Sequence, residues 1–107
     1  MKIRYCLGVI RAELYFRGAR TLKDRRGHLR SLKDRLSRMG FSVAQVGPPD
    51  MVQQAWIMAV TVSGSRGGVE VRLDRAEELL LKPDWELAAL EKDIIGDNEK
   101  LQDWEIE

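Results

Sequence analysis

The sequence predicts an α+β domain in which two helices cover one face of a four-stranded antiparallel sheet. Its 107 residues are enough for one domain. Four segments are alternating or continuously apolar, which is typical of strands, and two others place apolar residues at helical spacing. They follow in the order β-α-β-β-α-β, and right-handed crossovers then bring both helices to the same face. This is the ferredoxin-like arrangement, or split βαβ fold.

The first strand and the first helix have the clearest signals. Residues 5–16 alternate, so one side of the predicted strand carries small and apolar side chains: Gly8, Ile10, Ala12, Leu14 and Phe16. Thr21 is a typical helix N-cap, and Asp24 stands at the capping-box position. The helix is expected over residues 21–39, and Gly40 should end it. Its buried stripe should consist of Leu22, Leu29, Leu32, Leu36 and Met39.

Weaker signals predict the remaining elements. They are, in chain order, strands over residues 41–46 and 55–62, a helix over about 68–82, and a strand within 85–95. The breaks between them are Gly47-Pro48-Pro49-Asp50, a glycine-rich turn before the second helix, and Pro83 after it. The core face of the second helix should be formed by Val69, Leu73, Ala76 and Leu80.

Composition argues against several classes of function. Cys6 is the only cysteine and His28 the only histidine, so a disulfide within the chain, a cysteine-rich metal site and a Ser-His-Asp triad are not expected. No apolar run approaches the roughly 18 residues of a membrane-spanning helix. The first residues also lack the pattern of a signal peptide. We therefore expect a cytoplasmic, non-enzymatic protein without metal, cofactor, membrane or small-molecule substrate.

The net charge of +1 conceals a strong asymmetry along the chain. Residues 1–69 carry 13 basic and 4 acidic side chains, a charge of +9. Residues 70–107 carry 5 basic and 13 acidic side chains, a charge of −8. The basic part would attract polyanions, and the acidic part would repel them. We divide the chain into a domain over residues 1–96 and an acidic C-terminal extension over residues 97–107.

The first helix is the strongest candidate for a binding site. Nine basic side chains occur from Arg17 to Arg38, and several fall near the first turn, where the helix dipole is already positive. Free backbone N–H groups and nearby cations would together attract anions such as RNA phosphates. The predicted nucleic-acid-binding residues are Arg17, Arg20, Lys23, Arg25, Arg26, Arg30 and Lys33. The alternative is a solvated helix face that only keeps the protein in solution.

A helical wheel divides the charged side chains of this helix into two flanks of the leucine stripe. One flank carries Lys23, Arg26, Arg30 and Lys33, and the other carries His28 and Arg35. Arg25 falls within the apolar stripe itself. Its guanidinium must therefore extend past the sheet edge or find a hydrogen-bonding partner.

The sheet face opposite the helices is the second candidate site. Trp56, Met58 and Val60 would lie on it together with Val62, and so many large apolar side chains are not expected to remain in water. We expect Trp56, Met58 and Val60 to form an interface, which would make the protein a homodimer or an adaptor for another protein. One alternative is that the C-terminal extension covers this face. The other is that RNA bases stack on it, although the Gly-Phe-aromatic signature of RRM-type proteins is absent.

Four motifs along the chain point to a known family. They are Gly8-Val9 with Glu13-Leu14, the run Thr21-Leu22-Lys23-Asp24-Arg25-Arg26, the run Ser31-Leu32-Lys33-Asp34-Arg35-Leu36, and Phe41-Ser42-Val43-Ala44-Gln45-Val46 with Asp50 and Gln53-Gln54-Ala55. They resemble the YlxP-like family of small bacterial proteins of unknown function over about residues 6–95. The resemblance implies a ferredoxin-like fold and no established activity. Members are often encoded beside the large initiation factor and ribosome-binding factor A, which implies, by association, a role near translation or small-subunit maturation.

These observations predict a non-enzymatic protein that binds structured RNA or the ribosome through its basic first helix. Ribosomal RNA or the small ribosomal subunit is the expected partner. The alternative is a homodimeric structural module, or a protein-binding adaptor, that uses the open sheet face. The two functions are compatible because they use different surfaces.

Overall fold

The structure, a computed structural model, describes residues 2–96 and 104–105 of the chain. Its main elements are, in chain order, β1 (Cys6–Tyr15), α1 (Leu22–Arg38), β2 (Ser42–Val46), β3 (Gln54–Ser63), α2 (Arg66–Leu80) and β4 (Glu86–Gly96). This order confirms the predicted α+β, ferredoxin-like fold with two helices and a four-stranded antiparallel sheet.

The four strands are hydrogen-bonded in the order β2-β3-β1-β4. Ala59 of β3 pairs with Ile10 of β1 on one side and with Val43 of β2 on the other. The central strands β1 and β3 bury one side completely, which is why their sequences are so rich in apolar residues. β4 pairs along the whole of β1, and the register shifts between Glu13 and Leu14, as a β-bulge requires.

Both helices pack on the same side of the sheet and share one core. The largest of its fully buried side chains are Ile10, Leu14, Phe16, Leu32, Leu36, Ile57 and Leu80. α2 approaches the sheet closely at Gly8 of β1, where an added Cβ would lie 2.6 Å from Cγ1 of Val69. Only glycine allows α2 to lie this near β1. Of the predicted stripe of α1, Leu29, Leu32 and Leu36 are buried, whereas Leu22 and Met39 are half-buried.

The ends of α1 lie where the sequence predicts them. Thr21 is the N-cap, and its Oγ1 accepts a hydrogen bond from the backbone N–H of Asp24 at 3.1 Å. Gly40 follows the helix with a φ of 95°, a backbone conformation that glycine adopts without strain.

The second helix begins earlier than predicted. α2 starts at Arg66 because the Ser65 hydroxyl accepts a hydrogen bond from the backbone N–H of Gly68 at 3.1 Å and caps the helix. This cap offsets the poor helix propensity of the two glycines in the first turn. The predicted start at residue 68 and end at residue 82 are therefore wrong by two residues each, since α2 ends at Leu80.

Beyond β4 the structure describes only Trp104–Glu105, a two-residue strand that pairs with Lys2–Ile3. The rest of the predicted acidic extension lies outside the described residues. The division of the chain at residue 96 therefore stays a prediction.

Candidate nucleic-acid interface

One cation of the basic helix is buried in the domain. Arg25 is only 3% exposed, and its Nη1 donates hydrogen bonds to the backbone carbonyls of Met51 at 2.6 Å and Gln54 at 2.9 Å. Its Nη2 donates to the carbonyl of Pro49 at 2.7 Å. These carbonyl dipoles stabilise a guanidinium that is always charged. Arg25 is one of the predicted binding residues, but its hydrogen bonds to the β2–β3 loop and to the first residue of β3 hold it away from the surface.

The loop before α1 is held by the same β2–β3 loop. The side-chain amide of Gln53 donates to the backbone carbonyls of Arg17 at 3.1 Å and Ala19 at 3.0 Å. The backbone N–H of Phe16 donates to the carbonyl of Gln53 at 2.8 Å. Gln53 and Arg25 together fix the start of α1 against the loop that leads into β3.

The first turn of α1 already contains an anion. The Asp24 carboxylate accepts a hydrogen bond from the backbone N–H of Arg20 at 3.0 Å, and this bond lowers the pKa of Asp24 below its ordinary value. Its charge lies at the positive end of the helix dipole. Arg17 instead forms an ion pair with Glu86 on β4. Of the predicted cations near this turn, Arg25 is thus buried and Arg17 is paired with Glu86.

Three other predicted residues meet in a groove between α1 and the edge strand β2. This basic groove has a volume of about 300 Å³ and is lined by Arg26, Leu29, Arg30, Lys33, Asp34 and Gln45. Arg26 and Arg30 are exposed, and Lys33 is half-buried. Among the described residues, no carboxylate forms an ion pair with any of these three cations. Arg20 and Lys23 are exposed outside the groove.

Gln45 is the groove residue that sequence analysis missed. It belongs to β2, on the same side of the strand as Val43, and both are partly covered. Its amide nitrogen is buried and has no hydrogen-bond partner within the described part of the chain. An unpaired buried donor is costly, so this amide has a hydrogen bond left to offer. The strand alternation indicates that Gln45 faces the helices, but the identity of its neighbours depends on the packing of α1.

The other flank of α1 is occupied by aromatic contacts. The ring of His28 stacks on Phe16, with centroids 5.4 Å apart and planes 12° from parallel. The Arg35 guanidinium lies 5.9 Å from the ring centroid of the buried Trp85, and its Nη1 is 3.7 Å from Asp84. Trp85 in turn donates its indole N–H to the carbonyl of Leu80 at 2.9 Å. His28 thus contacts the residue that follows β1, and Arg35 joins α1 to the segment between α2 and β4.

The sheet face opposite the helices carries a second, more apolar pocket. Its volume is about 290 Å³, and its main lining side chains are Arg11, Glu13, Val46, Trp56, Met58, Ala89 and Glu91. The three predicted interface residues Trp56, Met58 and Val60 lie on this face and are half-buried, while Val62 beside them is 59% exposed. Arg11 forms an ion pair with Glu91 across β1 and β4 at 3.0 Å.

Candidates for other chemistry are sparse in the structure. Over residues 2–96, no three His, Cys, Asp or Glu side chains form a group that would hold a metal ion. Cys6 is buried, and His28 is stacked on Phe16. Neither helix in this part of the chain has the length and hydrophobicity that crossing a membrane requires.

Comparison with known proteins identifies the family of the chain. No curated protein matches it. A family model described as "Protein of unknown function (DUF503)" matches residues 7–92, which include α1, α2, all of β2 and β3 and most of β1 and β4. The match therefore covers both walls of the basic groove, and the chain belongs to the DUF503 family of proteins of unknown function.

Proposed function

We propose that this protein is a non-enzymatic RNA-binding module whose basic groove holds the phosphate backbone of an RNA strand. The observation that carries the proposal is the set of three cations, Arg26, Arg30 and Lys33, that share one groove without a carboxylate partner among the described residues. Cations that are already paired gain little from a phosphate, whereas unpaired ones release the counterions of the nucleic acid on binding.

The arrangement of the three cations favours a polymer over a small anion. Arg26, Arg30 and Lys33 follow one another at the i, i+4 and i+7 positions of α1. At a rise of 1.5 Å per residue they extend over about 10 Å of the helix axis. A row of this length in an open groove fits the repeated charges of a phosphodiester strand better than a single phosphate group.

The identity of the RNA rests on the family resemblance. The YlxP-like proteins that this sequence resembles are often encoded beside translation factors, which supports ribosomal RNA or the small ribosomal subunit as the partner. We therefore propose these as the first RNAs to test.

The test is the salt dependence of RNA binding. Affinity for ribosomal RNA fragments and for purified small subunits would be measured over a series of salt concentrations. Contacts to three phosphates of a single strand should give a slope of log affinity against log salt of about −2. The double variant Arg30→Glu with Lys33→Glu should abolish this dependence and most of the binding.

A second double variant controls for net charge. Arg75→Glu with Lys82→Glu changes the charge by the same amount, at two exposed residues outside the groove. It should bind RNA nearly as well as the native protein. Equal losses in the two double variants, or a native affinity that does not respond to salt, would refute the groove as the RNA site.

Homodimerisation through the open sheet face is a second candidate function. The face carries both signs of charge close to its apolar pocket, with Arg11 near Glu13 and Glu91. A two-fold axis through the face would bring Arg11 of one copy towards a carboxylate of the other, and would cover Trp56 and Met58 of both. This self-complementarity favours a second copy of the chain over a different partner.

Light scattering at micromolar protein concentration tests the dimer. The native protein should have twice the monomer mass, and Trp56→Glu should restore the monomer because a charge would then be buried in the interface. Val71→Glu, at an exposed apolar residue of α2, is the matched control and should remain dimeric. A native protein that is monomeric throughout would eliminate this candidate.

A further inference from the structure

We infer that the free edge of β2 binds an extended acidic peptide as an added strand, with the carboxylates of the peptide against the cations of the basic groove. This inference goes beyond the proposed RNA-binding function, because RNA has no peptide backbone that could continue a sheet. Two observations carry it. The edge of β2 is unprotected, and the cations beside it are unpaired among the described residues.

The two edges of the sheet differ in how they are protected. The pairing of the edge strand β4 with β1 contains a β-bulge, and β4 itself carries four charged side chains, Glu86, Glu91, Lys92 and Asp93. Charges and bulges of this kind keep a free edge from pairing with another chain. The opposite edge strand, β2, has no charge, no proline and no bulge over Ser42–Val46. Within the described part of the chain it pairs only with β3, so its other side is open to a further strand.

The basic groove lies beside this open edge. It is bounded by α1 and by Gln45 of β2, and none of its described lining residues belongs to β3. An added strand would lie about 4.8 Å beyond β2, on the side where the groove opens. The side chains that it turns towards the helices would therefore meet Arg26, Arg30 and Lys33.

The charges of the groove favour acidic side chains on the added strand. Its three cations outnumber its single carboxylate, Asp34. Alternate residues of a strand are about 6.7 Å apart, which is close to the rise of about 6 Å from Arg26 to Arg30 along the helix axis. A glutamate at every second residue would thus bring successive carboxylates near successive cations. The buried amide nitrogen of Gln45, which has no hydrogen-bond partner within residues 2–96, would gain an acceptor from the same side chains.

Two synthetic peptides of equal charge test whether the backbone takes part. One is a heptapeptide that alternates glutamate with threonine. The other has the same side chains but methylated backbone nitrogens, so it cannot donate hydrogen bonds to β2. Fluorescence anisotropy should show that the first binds at least about tenfold more tightly, because several backbone hydrogen bonds are lost in the second. Equal affinities would mean that charge alone attracts the peptides and would overturn the added strand.

Amide hydrogen exchange shows where the first peptide binds. Binding should slow the exchange of N–H groups within Ser42–Val46, since an added strand accepts hydrogen bonds from those that face outwards. Exchange in β4, the protected edge, should not change. Slower exchange in β4 instead of β2, or in neither strand, would overturn the inference.

Charge variants test the part played by the groove. Arg30→Glu with Lys33→Glu should lose the peptide, whereas Arg75→Glu with Lys82→Glu should retain it, because only the first pair lines the groove. Equal peptide binding by the two double variants would overturn the role of the groove cations.

Competition separates this inference from the proposed function, on which the displacement of RNA depends. If both hold, the acidic peptide should displace ribosomal RNA fragments from the native protein, since the two share the same cations. Peptide binding without any RNA binding would support the inference and refute the RNA function. RNA binding without any peptide binding would do the reverse, and simultaneous binding of both would overturn the shared site.

Discussion

The two flanks of α1 both carry basic side chains but differ in what those side chains contact. On the groove flank, Arg26, Arg30 and Lys33 line an open groove and have no described carboxylate partner. On the other flank, His28 stacks on Phe16, and Arg35 lies over Trp85 and near Asp84. The second flank attaches the helix to the rest of the domain, and the first is the flank that we propose binds RNA.

This difference shows that the number of cations on a helix is a poor guide to a binding site. A cation that already has a protein partner must break that contact before it can hold a phosphate. The same distinction applies across the molecule, since on α2 and β4 the Lys92 ammonium lies 2.6 Å from Glu77 and 3.9 Å from Asp74. The hydrogen bond to Glu77 raises the pKa of Lys92. Two predictions test whether paired and unpaired cations behave differently, and a third tests the carboxylate at the start of α1.

The largest effect is expected at Arg25, which belongs to neither flank. Arg25→Ala would remove a buried side chain and leave the carbonyls of Pro49, Met51 and Gln54 without this donor, and should lower the free energy of unfolding by about 3 kcal/mol. Urea denaturation followed by circular dichroism measures this loss. Arg25→Lys keeps the charge but not the forked geometry, so it should recover only part of the stability.

The neighbouring residue provides the control for Arg25. Arg26→Ala removes an exposed side chain and should change stability by less than about 0.5 kcal/mol, while it weakens RNA binding. Arg25→Ala should show the opposite pattern, with lower stability and unchanged RNA affinity of the folded protein. If the two variants lose equal stability, the distinction between buried and groove cations does not hold.

An intermediate effect is expected from removing one charge on each flank. Arg30→Gln should reduce the magnitude of the salt slope of RNA binding by about 0.7, because one phosphate contact to a single strand is lost. Arg35→Gln should leave the slope unchanged, since Arg35 contacts Trp85 and Asp84 instead. The comparison is made on the same RNA, and equal changes in slope would show that both flanks bind it.

The smallest effect is expected at Asp24, the carboxylate at the start of the helix. Its pKa in the folded protein lies below the ordinary value of 3.8, so its charge contributes stability above that pH. The contribution is lost as the pH falls through the folded-state pKa. Asp24→Asn can still accept a hydrogen bond but carries no charge. It should be slightly less stable than the native protein at about pH 7, and the difference should be smaller at about pH 2.

Urea denaturation at both pH values measures this change in the free energy of unfolding. If Asp24→Asn lowers the free energy of unfolding equally at both pH values, the carboxylate charge does not stabilise the start of α1. Thr21→Ala, which removes the cap hydroxyl, should instead lose stability at both pH values.

Much of the fold could be predicted because the sequence patterns that indicate it involve only neighbouring residues. The alternation around Ile10 and Leu14, the leucine spacing of α1 and the N-cap at Thr21 depend only on nearby residues. The start of α2 was missed because two glycines outweighed the capping Ser65 in the sequence interpretation. The position of the binding helix was also a sequence prediction, although its role remains a proposal.

The sequence by itself determined the order of elements, the ends of α1 and the concentration of cations on that helix. Only the tertiary structure decided which of these cations remain unpaired. The partners of Arg25, Arg17 and Arg35 come from segments distant in the sequence: the β2–β3 loop, the start of β4 and the turn after α2. Gln45 likewise joins the groove only because α1 packs beside β2. Such contacts follow from packing, and no local pattern in the sequence reports them.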